Sequence, residues 1–183
     1  MLRFILIALL IIQPLYATET NEEISPNEDN QEIRLNEDSE TVEKEDYQGI
    51  FKIGNPYKIN GIKYNPRINN NYNKTGIASW YGSDFHNKKT ANGETYDQFE
   101  YTAAHPTLPL PSMVEVTNLE NGNKLIVKIN DRGPFAHDRI IDLSFQSAIE
   151  LDFINKGTTR VRVKFLKEET DLLHQQLFGT KYL

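Results

Sequence analysis

The sequence predicts a mainly β protein whose folded part is a small closed barrel with short helices. Several short stretches alternate apolar and polar residues with the period of a β-strand. One short helical pattern lies among them, and the strand–helix–strand repeat that is typical of parallel α/β proteins does not occur. With 183 residues, the chain has room for one compact domain with extensions.

The first seventeen residues predict a secretory signal peptide. Arg3 supplies the positive start, residues 4–12 form an apolar run, and Ala17 is a small residue suited to cleavage. A helix needs about 20 apolar residues to span a bilayer, so this run of nine is short for an anchor. We expect the mature chain to begin near Thr18, and an uncleaved anchor is the alternative.

Residues 18–48 predict a disordered acidic linker. They contain twelve Asp or Glu residues against two basic ones and show no apolar periodicity, a composition that opposes collapse into a core. Recruitment of a partner by this segment is the alternative interpretation. Residues 49–183 carry a net charge of +3, which suits an anionic polymer and is too small to indicate nucleic-acid binding.

The elements of the folded part begin with turns and short extended pieces in residues 53–66, which are rich in Asn, Pro and Gly. The asparagine-rich run 69–73 predicts an irregular loop. Residues 76–82 predict a strand, because their side chains alternate between two faces. The clearest signal is a β-hairpin over residues 113–131, with its turn at Asn121-Gly122.

Four further elements complete the predicted fold. Residues 139–143 form another short strand, after which Ser144 is the expected N-cap of a helix over residues 145–151. Residues 159–166 alternate strictly and predict the closing strand. The tail, residues 167–183, predicts a short amphipathic helix whose apolar positions are Leu172, Leu173 and Leu177.

Turn-formers, aromatics and ionisable groups crowd into four separated motifs. These motifs are GIASWYGSDFHNKKTANGETYD (76–97), TAAHPTLP (102–109), NDRGPF (130–135) and RIIDLS (139–144). In this order they resemble the RlpA-like family of bacterial envelope proteins. The resemblance covers residues 49–166 and implies a six-stranded double-psi β-barrel with two crossed loops.

Characterised members of this family are lytic transglycosylases that act on peptidoglycan. The resemblance implies an endolytic enzyme that cleaves MurNAc–GlcNAc β-1,4 bonds in peptide-stripped glycan strands and leaves 1,6-anhydro-MurNAc ends. Its partner would be the glycan strand in a bacterial periplasm, beside unidentified envelope or division proteins. The chain has no cysteine for a disulfide or a lipid anchor, and residues 167–183 are too few for the SPOR domain that many relatives carry.

The resemblance places four ionisable residues at the positions of the family's cleft, namely Glu94, Asp97, His105 and Asp131. The reaction needs a proton for the leaving oxygen and support for an oxocarbenium-like centre. Since the muramic acid C6 hydroxyl attacks its own anomeric carbon, one acid–base group suffices. Asp131 ends an apolar strand beside a tight turn, where a half-buried carboxyl is suited to be the general acid. His105 is expected to face the cleft as its proton partner.

Structural interpretations of these residues stay open. Asp131 could form an ion pair or turn cap with Arg132 or Arg139, and His105 could be a satisfied buried histidine. Glu94 and Asp97 could belong to a solvated turn. Asp142 is a competing acid, because its string IIDLS is similar to the His-Phe-Asp-Leu-Ser string of expansins and related endoglucanases. The apolar neighbours of Asp142 favour a buried structural role instead.

Aromatic side chains near the first motif predict sugar contacts. Trp80 and Tyr81 are candidates for stacking on pyranose faces, whereas core packing is preferred for Phe85. Basic residues that could hold the lactyl or peptide carboxylates, or else be solvated surface charges, are Lys88, Lys89 and Arg132.

The sequence predicts neither a metal site nor a cofactor. The four histidines lack the spacing of a ligand pair, and neither a phosphate-binding loop nor a nucleophile elbow is found. Two other function classes remain open. One is a non-catalytic, expansin-like glycan-binding module, and the other is a structural envelope protein whose acidic linker recruits a partner.

Overall fold

The structure is a computed structural model that describes residues 47–136 and 138–182. The predicted signal peptide and residues 18–46 of the predicted linker lie outside the described residues. The described ranges contain eight strands, two α-helices and a 3₁₀ turn over Ser83–Phe85. The strands are β1 (Tyr57–Ile59), β2 (Ile62–Tyr64), β3 (Asn73–Trp80), β4 (Thr102–Ala104), β5 (Ser112–Asn118), β6 (Lys124–Asp131), β7 (Arg139–Leu143) and β8 (Thr158–Phe165), and the helices are α1 (Phe145–Glu150) and α2 (Lys167–Phe178).

Six of these strands close into a barrel in the order β3-β7-β4-β6-β5-β8. The pairs β3–β7 and β4–β6 are parallel, and the other neighbours are antiparallel. The strands β1 and β2 form a separate hairpin. The predicted mainly β fold class, with a closed six-stranded barrel and short helices, is therefore confirmed.

Aliphatic side chains fill the barrel, and the period-2 pattern of the strands determines which ones. On β8, Val161, Val163 and Phe165 are buried, while Arg162 and Lys164 between them are exposed. Burial of each such apolar side chain contributes about 1.5–3 kcal/mol relative to exposure. The alternation that predicted this strand is therefore the same feature that builds the core.

Two strands differ from their sequence-based expectations. β3 starts at Asn73 rather than at Gly76, because residues 73–75 pair with Lys164, Val163 and Arg162 of β8. β4 showed no periodicity, since it lies between β6 and β7 and all three of its residues are buried. The predicted hairpin forms between β5 and β6, and Gly122 in its loop has a φ of 83°, which favours glycine.

The helices confirm one expectation and correct another. Ser144 caps α1, because its Oγ accepts a hydrogen bond from the backbone N–H of Ser147 at 3.1 Å. In α2, however, Leu172 is 66% exposed, and the buried residues are Thr170 and His174. His174 packs there because its Nε2 lies 2.9 Å from the Pro111 carbonyl oxygen. No helix within the described residues is both long and apolar enough to cross a membrane.

The barrel contacts more of the chain than residues 49–166. Tyr47, at the end of the predicted linker, packs its ring against Phe178 of α2 with a centroid distance of 5.6 Å. Gln48 accepts a hydrogen bond from Lys89 at 2.8 Å. Tyr182 is buried and contacts Phe165 of the barrel. Residues 47–48 and α2 therefore pack as parts of the folded domain.

Candidate active site

The most informative cavity is an open cleft of about 490 Å³ at one end of the barrel. The end of β3 contributes Ser79, Trp80 and Tyr81 to its wall. The residues at and after the end of β6, from Asp131 to Ala136, form a second side. The strand β7 contributes Arg139 and Asp142.

The strand register explains why two acids meet in this cleft. Ala104 on β4 is paired with Asp131 on β6 and, on its other side, with Asp142 on β7. Since neighbouring strands lie about 4.8 Å apart, the Cα atoms of the two acids are roughly 10 Å apart. The two carboxyl groups therefore flank one small residue and line the same cavity.

Asp131 has a half-buried carboxyl group that is subject to two opposing influences, burial and backbone hydrogen bonds. Its Oδ1 accepts hydrogen bonds from the backbone N–H groups of Ala91 at 2.8 Å and Arg132 at 2.7 Å. The Tyr81 hydroxyl also interacts with this carboxyl, although without the geometry of an ordinary hydrogen bond. Burial raises the pKa of the Asp131 carboxyl above its ordinary value, and the two backbone donors oppose this only in part. Such a group is suited to give and recover a proton.

Asp142 is more deeply buried and has charged support. Its Oδ1 accepts a hydrogen bond from the Ser79 hydroxyl at 2.5 Å and lies 3.4 Å from Arg139 Nε. Burial raises the pKa of Asp142, against the Ser79 hydrogen bond and the charge of Arg139. The Ser79 hydroxyl and the adjacent guanidinium of Arg139 both favour the ionised form of Asp142.

Tyr81 lies close enough to both acids to interact with them electrostatically. Burial and the carboxylates of Asp131 and Asp142 raise the pKa of Tyr81, so that its hydroxyl stays protonated. This hydroxyl is buried and has no hydrogen-bond partner of ordinary geometry among the described residues. A buried hydroxyl without a partner is costly, and a ligand oxygen in the cleft would satisfy it.

The ring of His105, the predicted proton partner, forms its hydrogen bonds with residues other than Asp131. Its Nδ1 accepts hydrogen bonds from the backbone N–H groups of Thr107 at 3.1 Å and Leu108 at 3.0 Å. The proton is therefore on Nε2, which lies 2.9 Å from the Tyr72 hydroxyl. Burial, together with the charge of Arg132, lowers the pKa of His105 to about 3. The ring is neutral, and the contact with Asp131 is made by the His105 backbone N–H, which donates to the Asp131 carbonyl at 3.1 Å.

Glu94 lies at the centre of a hydrogen-bond network outside the cleft. Its Oε1 accepts hydrogen bonds from the Tyr47 hydroxyl and from Asn92 Nδ2, the latter at 2.8 Å. Its Oε2 accepts from Asn130 Nδ2 at 3.0 Å and forms an ion pair with Lys128 at 2.7 Å. Burial alone would raise the pKa of Glu94, but Lys128 and the hydrogen bonds hold it below its ordinary value. Glu94 is thus a fully coordinated anion.

This network, which we call the Glu94 network, is connected to the acid of the cleft. Asn92 and Asn130 adjoin Ala91 and Asp131 in sequence, and the backbone N–H of Asn92 donates to the Asn130 carbonyl at 3.4 Å. The next residue pair makes the 2.8 Å bond from Ala91 N–H to Asp131 Oδ1. Glu94 therefore fixes the loop that holds Asp131, and does not itself line the cleft.

Asp97 is the fourth predicted residue, and it lies apart from the cleft. Its carboxylate accepts a hydrogen bond from the backbone N–H of Phe99 at 2.9 Å and lies 3.7 Å from His86 Nδ1. Its side chain is 46% exposed. This geometry is that of an Asx turn at the surface. The structure thus brings Asp131 and Asp142 together, and places Asp97, Glu94 and the His105 ring outside the cleft.

Comparison with known proteins supports one family. The family model described as "Lytic transglycolase" matches residues 73–163, the span from the start of β3 into β8. The Rickettsia felis protein named "Endolytic peptidoglycan transglycosylase RlpA" is 48% identical over 128 residues, covering 68% of this chain and 56% of that protein. A Pseudomonas aeruginosa protein of the same name is 56% identical over 111 residues, covering 60% of this chain and 33% of that protein. Through its barrel, the chain belongs to the RlpA-like family.

The matched segment spans about half of the Rickettsia protein and a third of the Pseudomonas protein. Among solved structures, the Streptomyces papain inhibitor (SPI) is similar with a TM-score of 0.44 and 24% identity, covering 52% of this chain and 94% of that one. That overlap is too small to bear on function.

The predicted ligand contacts of this RlpA-like chain fall into two groups. Trp80 and Tyr81 line the cleft as expected, and Phe85 joins them. Core packing of Phe85 was the wrong expectation, because its side chain is 50% exposed. Arg132 lines the cleft too, but its guanidinium donates to the backbone carbonyls of Ile53, Leu108 and His105 at 2.8, 2.6 and 3.2 Å. Those bonds direct the cation of Arg132 toward the protein and not toward a ligand.

The remaining predicted cations lie outside the cleft. Lys88 is positioned over the Phe85 ring at 5.4 Å from its centroid, and Lys89 donates to Gln48 and Thr95 at 2.8 and 3.2 Å. Within the described residues, no cluster of His, Cys, Asp and Glu has the arrangement of a metal site. Residues that sequence reasoning did not assign to this site are Ser79, Arg139, Asn92, Asn130 and Lys128.

Proposed function

We propose that this protein is an endolytic peptidoglycan lytic transglycosylase of the bacterial periplasm, cleaving MurNAc–GlcNAc β-1,4 bonds with formation of 1,6-anhydro-MurNAc ends. The observation that carries the proposal is the cleft in which two carboxyl groups, the half-buried Asp131 and the buried Asp142, flank Ala104. It is supported by the names of relatives that are 48% and 56% identical. The wall of Trp80 and Phe85 suits the apolar faces of sugar rings.

Asp131 acts as the acid in the first step. The proton of its carboxyl passes to the glycosidic oxygen as the bond from that oxygen to C1 of MurNAc breaks, which leaves an oxocarbenium-like centre at C1. The MurNAc C6 hydroxyl then attacks C1 and gives its proton to the Asp131 carboxylate. One bond to C1 is broken and one is formed, the carboxyl is regenerated, and no water is consumed.

Asp142 acts as the electrostatic partner. Arg139 and Ser79 favour the ionised form of Asp142. Its negative charge therefore stabilises the positive charge that develops at C1. Charges that are already in place cost no reorganisation at the moment of reaction. The Tyr81 hydroxyl, buried between the acids, is placed to hydrogen-bond a substrate oxygen.

The finer parts of the proposal concern substrate form and location. The guanidinium of Arg132 is held by backbone carbonyls, so the cleft itself offers little to a stem peptide, which fits a peptide-stripped strand. The signal-peptide pattern and the absence of cysteine support export without lipid attachment. Glu94 and His105 are proposed as positioning residues, and Asp97 as a surface turn residue outside the cleft.

Digestion of purified sacculi tests the activity. The expected products are glycan fragments that carry anhydro-muramyl ends, detected by mass spectrometry. Products with reducing muramyl ends would instead indicate hydrolysis by water. If the protein binds peptide-free glycan and releases no fragment, the activity is absent and the non-catalytic binding module is the function.

The rate at which glycan fragments are released is expected to have a bell-shaped pH profile, with an acid-side limb and a basic-side limb. Asp131 must be protonated, so activity is present below its raised pKa and is lost as the pH rises through it. Asp142 must be ionised, so activity is lost as the pH falls through its pKa. Arg139→Gln removes a cation that lowers the pKa of Asp142 and should move only the acid-side limb upward. Arg162→Gln, exposed on β8 and not among the residues that line the cleft, should move neither limb, and a shift of the basic limb by Arg139→Gln would contradict the assignment.

A further inference from the structure

A second cavity of about 280 Å³ lies where the β1–β2 hairpin and the segment after it meet the barrel. We call it the hairpin pocket. It shares no lining residue with the cleft of Asp131 and Asp142. Its wall comprises Lys63, Tyr64 and Asn65 from the hairpin side, Arg67, Asn69, Tyr72 and Lys74 from the next segment, and Thr107 and Leu108.

The charge of the hairpin pocket has one sign. Lys63, Arg67 and Lys74 line it, and none of its described lining residues is acidic. None of the ion pairs among the described residues involves these three cations. Cations that converge on a concave site and lack acidic partners there raise the local concentration of anions.

The uncharged part of the wall suits a sugar. Tyr64 and Tyr72 present aromatic surface with a polar tip. Their orientations are fixed, because Tyr64 stacks on Tyr57 with a centroid distance of 5.2 Å and Tyr72 is bound to His105 through its hydroxyl. The side-chain amides of Asn65 and Asn69 add hydrogen-bonding groups of both kinds. The cavity volume is at the small end for ligand sites, enough for one acidic sugar residue rather than a long ligand.

A single wall separates the hairpin pocket from the cleft. Tyr64, which lines the pocket, packs edge-on against Phe135, which lines the cleft, with a centroid distance of 5.6 Å. Arg132 of the cleft donates to the carbonyl oxygen of Leu108, a residue of the pocket, at 2.6 Å. One polymeric ligand can therefore contact both sites.

We propose that the hairpin pocket binds a carboxylate-bearing sugar of the same glycan strand, namely a muramic acid residue outside the cleft, through its lactyl carboxylate. This inference rests on the proposed function. Arg132 is held by backbone carbonyls and Arg139 is paired with Asp142, so neither of the cations among the described lining residues of the cleft is left for a substrate carboxylate. The hairpin pocket supplies the cations that the cleft lacks, and a strand whose repeat carries a carboxylate reaches both.

The test compares two variants with the same change in net charge. The double variant Arg67→Gln/Lys74→Gln removes two cations of the pocket, and Lys124→Gln/Arg160→Gln removes two exposed cations that line neither site. Each is made in the full chain with Asp131→Asn to prevent turnover. The probe is a peptide-free glycan strand, used with its lactyl carboxylates intact and after their reduction to alcohols.

Removal of the pocket cations is expected to weaken binding of the carboxylate strand about tenfold, because charge-assisted hydrogen bonds to carboxylates are lost. Binding of the reduced strand should not change, and the control variant should bind both strands like its parent. Equal losses on the two strands, or equal losses in the two variants, would overturn the proposal. So would unchanged binding of the carboxylate strand.

Turnover separates this inference from the proposed function. In chains that retain Asp131, the pocket variant should raise KM for long strands about tenfold and leave kcat unchanged, since the lost contact is far from the broken bond. Absence of anhydro ends from the wild-type protein would refute the function, whereas the binding comparison decides the pocket in either case. A fall in kcat with constant KM would contradict the assignment of the pocket to substrate binding.

Discussion

Replacement of Asp131 by asparagine is expected to reduce the release of anhydro-muramyl ends by about 10²–10⁴-fold, the range that general acid catalysis contributes. The amide retains an oxygen to accept the N–H groups of Ala91 and Arg132, so the local fold should persist. It has no carboxyl proton to give to the leaving oxygen. Mass spectrometry of sacculus digests measures the loss, and binding to peptide-free glycan checks that the cleft remains intact.

Two matched variants accompany this measurement. Asp97→Asn changes an exposed turn carboxylate with the same chemistry and should retain nearly full activity, because Asp97 lies outside the cleft. Asp142→Asn should lower the rate less than Asp131→Asn, since it removes a charge and not the transferred proton. A folded Asp142→Asn protein without activity, beside an active Asp131→Asn protein, would assign the acid to Asp142 and favour the expansin comparison.

Replacement of Lys128 by methionine is expected to destabilise the protein by about 3 kcal/mol, because it leaves the Glu94 carboxylate buried without its countercharge. Lys128 is 22% and Glu94 9% exposed at the side chain, and their charged atoms are 2.7 Å apart. Chemical denaturation measures the free energy of unfolding. Since the Glu94 network fixes the loop that donates to Asp131, the remaining folded protein should also lose activity, and a fully active variant would refute this positioning role.

The pH dependence of that loss identifies its cause. The pKa of Glu94 is held below its ordinary value in the folded state, so its contribution to stability is present above the unfolded pKa and is lost as the pH falls through the folded pKa. The difference between wild type and Lys128→Met should therefore shrink in acid. Lys124→Met is the control, because Lys124 forms an exposed pair with Glu115 at 3.9 Å, worth about 0.5 kcal/mol or less. An equal loss in both variants would contradict the buried-pair explanation.

Elements with a strong local pattern were predictable from the sequence. The strand β8 alternates Val161, Val163 and Phe165 with charged residues, and the barrel wall needs that order. The cap of α1 was predictable for the same local reason, since the Ser144 side chain reaches an amide only three residues away. By contrast, β4 is three buried residues long, so it had no alternation to detect.

The site was predictable only in part, because its geometry depends on strand order. The position of Asp131 at a strand end beside a turn pointed to a perturbed carboxyl, and burial does raise its pKa. Asp142 lies beside Asp131 because both acids pair with Ala104, and no local sequence pattern encodes that pairing. The sequence-based expectation that the His105 ring faces the cleft does not match its position. The backbone N–H groups of Thr107 and Leu108, which hold the ring away from the cleft, lie within three residues of it.

The register of β4 against β6 shifts by one residue between Ala103 and Ala104, so that Ala104 pairs with Asp131 and not with Asn130. Since successive strand residues point to opposite sides, that single extra residue directs the Asn130 amide toward Glu94 and leaves the Asp131 carboxyl to the cleft. Descendants of this gene should therefore tolerate insertions and deletions in the loop 119–123 but not beside Asn130. Pairing of Ala104 with Asn130 instead would place an amide where the acid now stands, although both groups would still be present in the sequence.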